Sequence, residues 1–171
     1  MVEEYMSTET IAVYPGSFDP VTRGHLEIIE RARDLFDVLH VAVVANPSKE
    51  CLFSSEERLD LLRTETAALG GRGRLEFTAF EGLTVQLADK LGARWIVRGL
   101  RSGADLASEL PMALTNRDCA EGELDTVFLP AGPASSYISS SLVREIAAAG
   151  GRLDTLVTGG VEEALRKKSP S

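Results

Sequence analysis

Cysteine is scarce in this chain. Cys51 and Cys119 are the only two in 171 residues, too few for a disulfide framework, and their spacing fits no metal-binding pattern. A reducing, cytoplasmic compartment is the expectation that follows. Long hydrophobic runs are missing as well. No stretch approaches the roughly 18 apolar residues of a membrane span. The first nine residues, Met1 to Glu9, are acidic and carry no apolar core, which excludes a secretory signal. They read as a short, loose tail ahead of one domain over 10–171. Positive charge is in deficit: 18 Lys and Arg against 26 Asp and Glu leave a net charge of −8. A protein that grips nucleic acid shows the opposite balance. Small anionic substrates are not excluded, because a few local Arg and Lys residues suffice to hold them. Repeats and low-complexity linkers are also absent. What remains, 44 % hydrophobic and 26 % charged, describes a globular domain large enough to bury a core.

Strand and helix patterns alternate along the whole chain. The apolar strand Ile11–Tyr14 is followed by a helix over about 25–36, with Leu26, Ile29, Ala32, Leu35 and Phe36 on one face. Val38–Val44 is almost continuously apolar, as a central parallel strand requires. Ser54-Ser55-Glu56-Glu57 is a capping-box signature and opens a helix through about Leu69, closed by Gly70-Gly71. A strand over 75–79, a helix over 84–91 stopped by Gly92, and a strand over 95–97 follow. A helical stretch over 104–118 is expected to be interrupted by Pro111. A strand over 126–129, a helix from the serine cluster to Ala149 and a short helix over 161–167 complete the series. Five strands with helices between them predict an α/β fold, a doubly wound five-stranded parallel sheet of Rossmann-like form. In such sheets ligands bind beyond the carboxyl ends of the strands, at the switch point of strand order.

The polar motifs all follow strand ends. Tyr14-Pro15-Gly16-Ser17-Phe18-Asp19-Pro20-Val21-Thr22-Arg23-Gly24-His25 runs from a strand through a glycine-bearing loop into a helix. Helix N-terminal amides lack intrahelical partners and carry positive potential, so this geometry seats phosphate. Gly16 and Gly24 let the backbone approach a ligand closely, and His25 adds a donor, although a histidine there can also simply cap the helix. His40, inside the second strand, has no such setting and is read as structural. Lys49, after strand two, is a mobile positive charge suited to phosphate. Arg98-Gly99-Leu100-Arg101, after strand four, forms a second anion clamp through guanidinium forks. Asp105 and Glu109 on the next helix can pair with those arginines, and Glu109 can instead meet a ligand hydroxyl. Ser136 to Ser141 follow strand five, with Ser139 as the N-cap candidate and further hydroxyls left for phosphates. The pattern points to nucleotidyl transfer by in-line attack at phosphorus, where preorganised donors stabilise the developing charge. No Asp/Glu cluster accompanies these motifs, so Mg²⁺ would be carried by the substrate phosphates and by waters.

YPGSFDPVTRGH, the PSK loop, VRGLR and SYISSSLVREI, in this order, resemble the bacterial phosphopantetheine adenylyltransferase family over about residues 10–166. The T-x-G-H element alone is shared by the wider nucleotidyltransferase superfamily. The resemblance implies a nucleotidyltransferase fold and transfer of the adenylyl group of ATP to 4′-phosphopantetheine, giving dephospho-CoA and pyrophosphate, a step of coenzyme A biosynthesis. It implies Mg²⁺, a cytoplasmic setting and a homohexamer. By matching position, Ser17 and Phe18 touch ATP, and Ser17 also lies near the acceptor phosphate. His25 stabilises the transition state, while Lys49 and Arg98 hold the acceptor phosphate. Gly99, Leu100, Arg101 and Glu109 line the ATP site, residues Ser135, Ser136, Tyr137, Ile138, Ser139, Ser140 and Ser141 wrap the nucleotide, and Thr84 offers its backbone to the pantetheine arm. The chain departs from the family at Glu50-Cys51, where lysine and proline are usual, at Asp105 to Pro111, where the family has aromatic and acidic residues and no proline, and at Thr115. An adenylyl- or cytidylyltransferase with another acceptor, such as nicotinate mononucleotide, is disfavoured by R-G-L-R and the serine start. Retention of His25 and Lys49 counts against a nucleotide-binding module without catalysis.

Overall fold

The computed structural model describes residues 9–45 and 50–168. Eleven elements alternate: β1 (Ile11–Gly16), α1 (Arg23–Arg33), β2 (Val38–Ala45), α2 (Ser55–Thr66), β3 (Arg74–Glu81), α3 (Thr84–Leu91), β4 (Trp95–Leu100), α4 (Gly103–Cys119), β5 (Asp125–Pro130), α5 (Ser140–Ala148) and α6 (Gly159–Lys168). The five strands lie in the order β3-β2-β1-β4-β5, and all pair in parallel. The chain winds outward from β1 to β3, then returns to place β4 on the other side of β1. That reversal opens a crevice at the carboxyl ends of β1 and β4. The expected doubly wound sheet is therefore present, and β2 is interior, in keeping with its apolar run.

Side chains leave each strand alternately to the two faces, as the pleat dictates. Ala12 and Tyr14, Leu39 with Val41 and Val43, and Val97 enter one core with Ile29 of α1, Leu62 of α2, Val143 of α5 and Leu165 of α6. Val13, Ala42 and Ile96 enter a smaller core with Leu87 and Ala88 of α3. The helix starts follow local chemistry. Ser54 accepts from the Glu57 amide at 3.2 Å and the Glu57 carboxylate accepts from the Ser54 amide at 2.8 Å, completing the capping box. Gly92 closes α3 in the left-handed region at φ 66°.

Several boundaries differ from the sequence expectation. Helix α1 ends at Arg33, so Leu35 is exposed while Ile28 takes a place in the core. Helix α2 ends at Thr66, and a single turn carries the chain on to Leu69. Strand β4 runs on through Arg98, Gly99 and Leu100, because its ladder with β5 continues to Pro130 after its pairing with β1 has stopped. Pro111 does not interrupt α4, which passes through it unbroken. Proline cannot bond the carbonyl of Ala107. No residue of α4 is buried, so that carbonyl can meet water, and the Thr115 hydroxyl donates back to the Pro111 carbonyl at 2.9 Å.

Candidate active site

A cavity of about 290 Å³ occupies the crevice between the carboxyl ends of β1 and β4. Three of the four sequence motifs reach it. The first brings Ser17, Gly24 and His25, the second Arg98, Gly99, Arg101 and Glu109, and the third Ser135, Ile138, Ser139, Ser140 and Ser141. Lys49 lies outside the described residues. His40 takes no part in the wall.

His25 is the third residue of α1 and its ring caps that helix. The Thr22 amide donates to Nδ1 at 3.1 Å, and the Thr22 hydroxyl also lies 3.1 Å from Nδ1. The His25 amide donates to that hydroxyl oxygen at 3.4 Å. A nitrogen that accepts from an amide carries no proton, so the neutral ring holds its hydrogen on Nε2. Capping and phosphate binding are therefore compatible, one nitrogen serving each. Burial, reinforced by the Arg101 and Arg98 charges, lowers the His25 pKa from 6.5 to about 4. At neutral pH the ring is an uncharged donor facing the cavity.

Phe18 stands behind the cavity wall. Its side chain is buried beneath the site, at φ 47°, with its ring edge-on to Tyr14 at 5.3 Å and to His25 at 5.0 Å. It supports the imidazole from below and does not line the cavity. Gly16 answers to the same ring. A Cβ at Gly16 would stand 2.8 Å from Phe18, so glycine is needed there for packing as well as for any ligand. Gly24 has no such constraint, its nearest neighbour to an added Cβ being 3.6 Å away, and its open surface faces the cavity.

The arginines are held by carboxylates on α4. Arg98 meets Glu109 through both arms of its fork, Nε donating to Oε2 at 2.7 Å and Nη2 to Oε1, while Nη1 donates to the Pro15 carbonyl at 2.9 Å. Arg101 donates to Asp105 at 3.0 Å through both Nε and Nη2, and the Arg101 amide donates to it at 2.8 Å. This bond lowers the Asp105 pKa and raises that of Arg101. Each carboxylate orients one guanidinium, and both guanidinium groups remain on the cavity wall.

On the third side, Ser139 caps α5 by accepting from the Leu142 amide at 3.2 Å. Ser140 donates to the Pro20 carbonyl at 2.9 Å, joining that helix start to the first motif. Leu100, Ser136 and Tyr137 do not reach the wall. The Leu100 carbonyl is taken by the Ala131 amide at 2.7 Å, the Ser136 amide is tied back to Gly132 at 2.9 Å, and the Tyr137 ring is exposed. Thr84, at the start of α3, lines a second cavity of about 310 Å³ that shares Pro15, Arg98 and Glu109 with the first.

Sequence reasoning missed the residues that hold this loop in place. The buried Asp19 carboxylate accepts from the Leu52 and Phe53 amides, both at 2.9 Å, and from Arg144 at 3.3 Å. Buried Arg58 donates to the Ser17 carbonyl at 2.7 Å. Glu27 accepts from the Gly132 amide at 2.9 Å and from the Ser135 hydroxyl. Asp19 lies within the first motif, and an acid between an aromatic residue and a proline is the signal the sequence offers. Arg58 and Glu27 lie on ordinary amphipathic helices and gave none.

The neutral His25 has a consequence for stability. Between about pH 6.5 and 4 the unfolded chain binds a proton at this site that the folded chain refuses, so stability falls as pH drops through that window and is unaffected above it. In urea titrations at pH 7, 5.5 and 4.5, the His25→Asn variant is expected to lose less stability with acid than the wild type. Equal acid sensitivity of the two proteins would refute the assignment.

The cytidylyltransferase-like family model matches residues 13–146. A phosphopantetheine adenylyltransferase of Gloeobacter violaceus is 49 % identical over 158 residues, covering 92 % of this chain and 96 % of that protein. One of Carboxydothermus hydrogenoformans is 51 % identical over 158 residues, covering 92 % and 95 %. Among solved structures, the nicotinic acid mononucleotide adenylyltransferase of Plasmodium falciparum complexed with NaAD superposes with a TM-score of 0.69 at 14 % identity, covering 94 % of this chain and 96 % of that one. At that identity the likeness speaks for the fold alone. With the sequence matches running through all the strand-end motifs, this chain belongs to the phosphopantetheine adenylyltransferase family.

Proposed function

We propose that this protein transfers the adenylyl group of ATP to 4′-phosphopantetheine, forming dephospho-CoA and releasing pyrophosphate. The observation that carries this reading is the convergence of His25, the Arg98 and Arg101 pair, and the Ser139 helix start on one cavity at the β1/β4 crevice. Relatives of that name match nearly the full chain. The cavity takes the nucleotide. The adjoining cavity at Thr84, separated by the Arg98–Glu109 pair, takes the pantetheine arm.

In the reaction an oxygen of the acceptor phosphate forms a bond to the α-phosphorus of ATP while the bond from that phosphorus to the pyrophosphate oxygen breaks. The acceptor phosphate is already nucleophilic near neutral pH, so no general base is needed. His25 donates through Nε2–H to an oxygen of the transferred group, where charge develops. Arg98, fixed by Glu109 and the Pro15 carbonyl, holds the acceptor phosphate together with Ser17 and Lys49. The free amides at the starts of α1 and α5 and the Arg101 guanidinium receive the remaining phosphate charge. Asp105 and Glu109, the carboxylates of the cavity wall, are occupied by arginines, which fits Mg²⁺ carried on the triphosphate and held by no side chain. When bound there, the ion neutralises phosphate charge. Positioning of two anions against their mutual repulsion then contributes up to about 7–11 kcal/mol of the rate enhancement.

The proposed setting is the cytoplasm, and among the described residues no helix is long and apolar enough to cross a membrane. The proposed assembly is a homohexamer that uses α4. Leu106, Leu110 and Leu114 recur at four-residue intervals on that helix and stand exposed with Met112.

Incubation with ATP, Mg²⁺ and 4′-phosphopantetheine is expected to release pyrophosphate only when the acceptor is present, and the absence of turnover by folded protein would refute the reaction. His25→Ala is expected to lower kcat about 10²–10³-fold with little change in KM for ATP. A rise in KM alone would contradict a transition-state role. Sedimentation is expected to show a wild-type hexamer that Leu110→Asp reduces to smaller species, and a monomeric wild type would overturn the assembly.

A further inference from the structure

The mechanism above leaves the polar atom of Tyr14 without use. Tyr14 is in β1, two residues before the glycine of the first motif, and its residue surface is only 6 % exposed. The ring stands edge-on to Phe18, with an interplanar angle of 82°. Buried tyrosines normally satisfy their hydroxyl, because an enclosed, unbonded hydroxyl is costly. The Tyr14 hydroxyl donates no hydrogen bond to any described residue, yet it is not sealed in. Among the described residues, the enclosed side-chain polar atom without a partner is Thr158 Oγ1. The Tyr14 oxygen therefore opens on the cavity that the residue lines.

The surroundings say what it meets. Gly99 lies beside the hydroxyl: a Cβ there would stand 3.7 Å from the Tyr14 oxygen, an ordinary contact, and a tighter 3.1 Å from Ile28 Cγ1. Arg98 and Arg101 act on the phenol with positive charge, opposed by Glu109. Burial outweighs the arginines and raises the Tyr14 pKa, so the phenol stays protonated and can donate at neutral pH. A donor set among cationic groups, with its hydrogen unspent, matches an anionic oxygen.

We propose that the Tyr14 hydroxyl donates a hydrogen bond to a phosphate oxygen of the nucleotide bound between the ends of β1 and β4. This rests on the nucleotide reading of that cavity. Tyr14 thereby joins Arg98 and Arg101 as a binding residue, and its neutral bond fixes direction where the guanidinium groups supply charge. The arrangement also explains why a phenol, and not a phenyl, ends this otherwise apolar strand segment.

Tyr14→Phe keeps the ring and removes only the oxygen. Its thermal midpoint is expected to equal or exceed that of the wild type, because no bond within the protein is lost. A lower midpoint would show the hydroxyl bonded to protein and overturn the proposal. Calorimetry with ATP and with adenosine reads the site directly. A hydrogen bond to a charged group predicts about tenfold to a hundredfold weaker ATP binding, with adenosine unchanged. Unchanged ATP binding, or equal losses for ATP and adenosine, would overturn the proposal. The acceptor-dependent assay on the wild type separates the two readings. If the wild type binds ATP but turns over no acceptor, the proposed reaction fails and the Tyr14 result still stands on binding. If the wild type turns over and Tyr14→Phe binds ATP normally, only the Tyr14 proposal fails.

Discussion

One hydrogen bond sets the polarity of the whole crevice. The Thr22 amide donates to Nδ1 of His25, and by doing so it decides which imidazole nitrogen carries the proton. The bond arises from helix-capping geometry, with the cap at position 22 and the ring three residues on, where glutamate or glutamine is more usual. Phe18 lies edge-on against the same ring. The imidazole is thus fixed in tautomer by the backbone and in attitude by an aromatic neighbour. Burial keeps it neutral, reinforced by the charges of Arg101 and Arg98 on the facing strand end. A group held in this way donates without reorganising, which is the property that makes electrostatic stabilisation effective.

Around that bond, the first motif works as a structural hub. Asp19 binds the amides of residues 52 and 53 on the chain leading into α2, and Arg144 on α5. Arg58 of α2 holds the Ser17 carbonyl, and Ser140 of α5 holds the Pro20 carbonyl. Glu27 of α1 pins the loop after β5. These are charged or polar groups at buried or half-buried positions, and each is satisfied by a partner, as burial demands. Removing one partner would leave the other stranded, so these bonds together fix the course of the loop. The Arg98–Glu109 and Arg101–Asp105 pairs do the same on the opposite wall.

The element pattern was legible because it is written in local periods. β2 is nearly all apolar and lies inside the sheet, while Ser54 with Glu57, and Leu91 with Gly92, mark helix ends through bonds made within a few residues. The site was legible where a motif combined glycine, histidine or arginine with a strand end. It was less so where a residue acts through a distant partner. Arg58 and Glu27 look like the solvent-facing positions of any amphipathic helix, and only the folded chain brings them to Ser17 and Ser135. The resemblance places Phe18 against ATP, and only the folded chain shows its ring buried in the core beside Tyr14 and His25. Pro111 predicts a break, since sequence shows the missing amide and not the exposed setting in which solvent can satisfy the freed carbonyl.

By itself, the amino-acid order determined the alternation of strands and helices, the caps, and which residue types stand at the carboxyl ends of β1, β4 and β5, because each depends on neighbours within a turn or a pleat. The tertiary structure decided that β4 returns beside β1, that Glu109 and not Asp105 takes Arg98, that one imidazole nitrogen is spent and the other free, and that the Tyr14 oxygen opens on the cavity. Those outcomes rest on contacts between residues far apart in the chain, which exist only once the sheet has been wound in both directions and its two cores have closed.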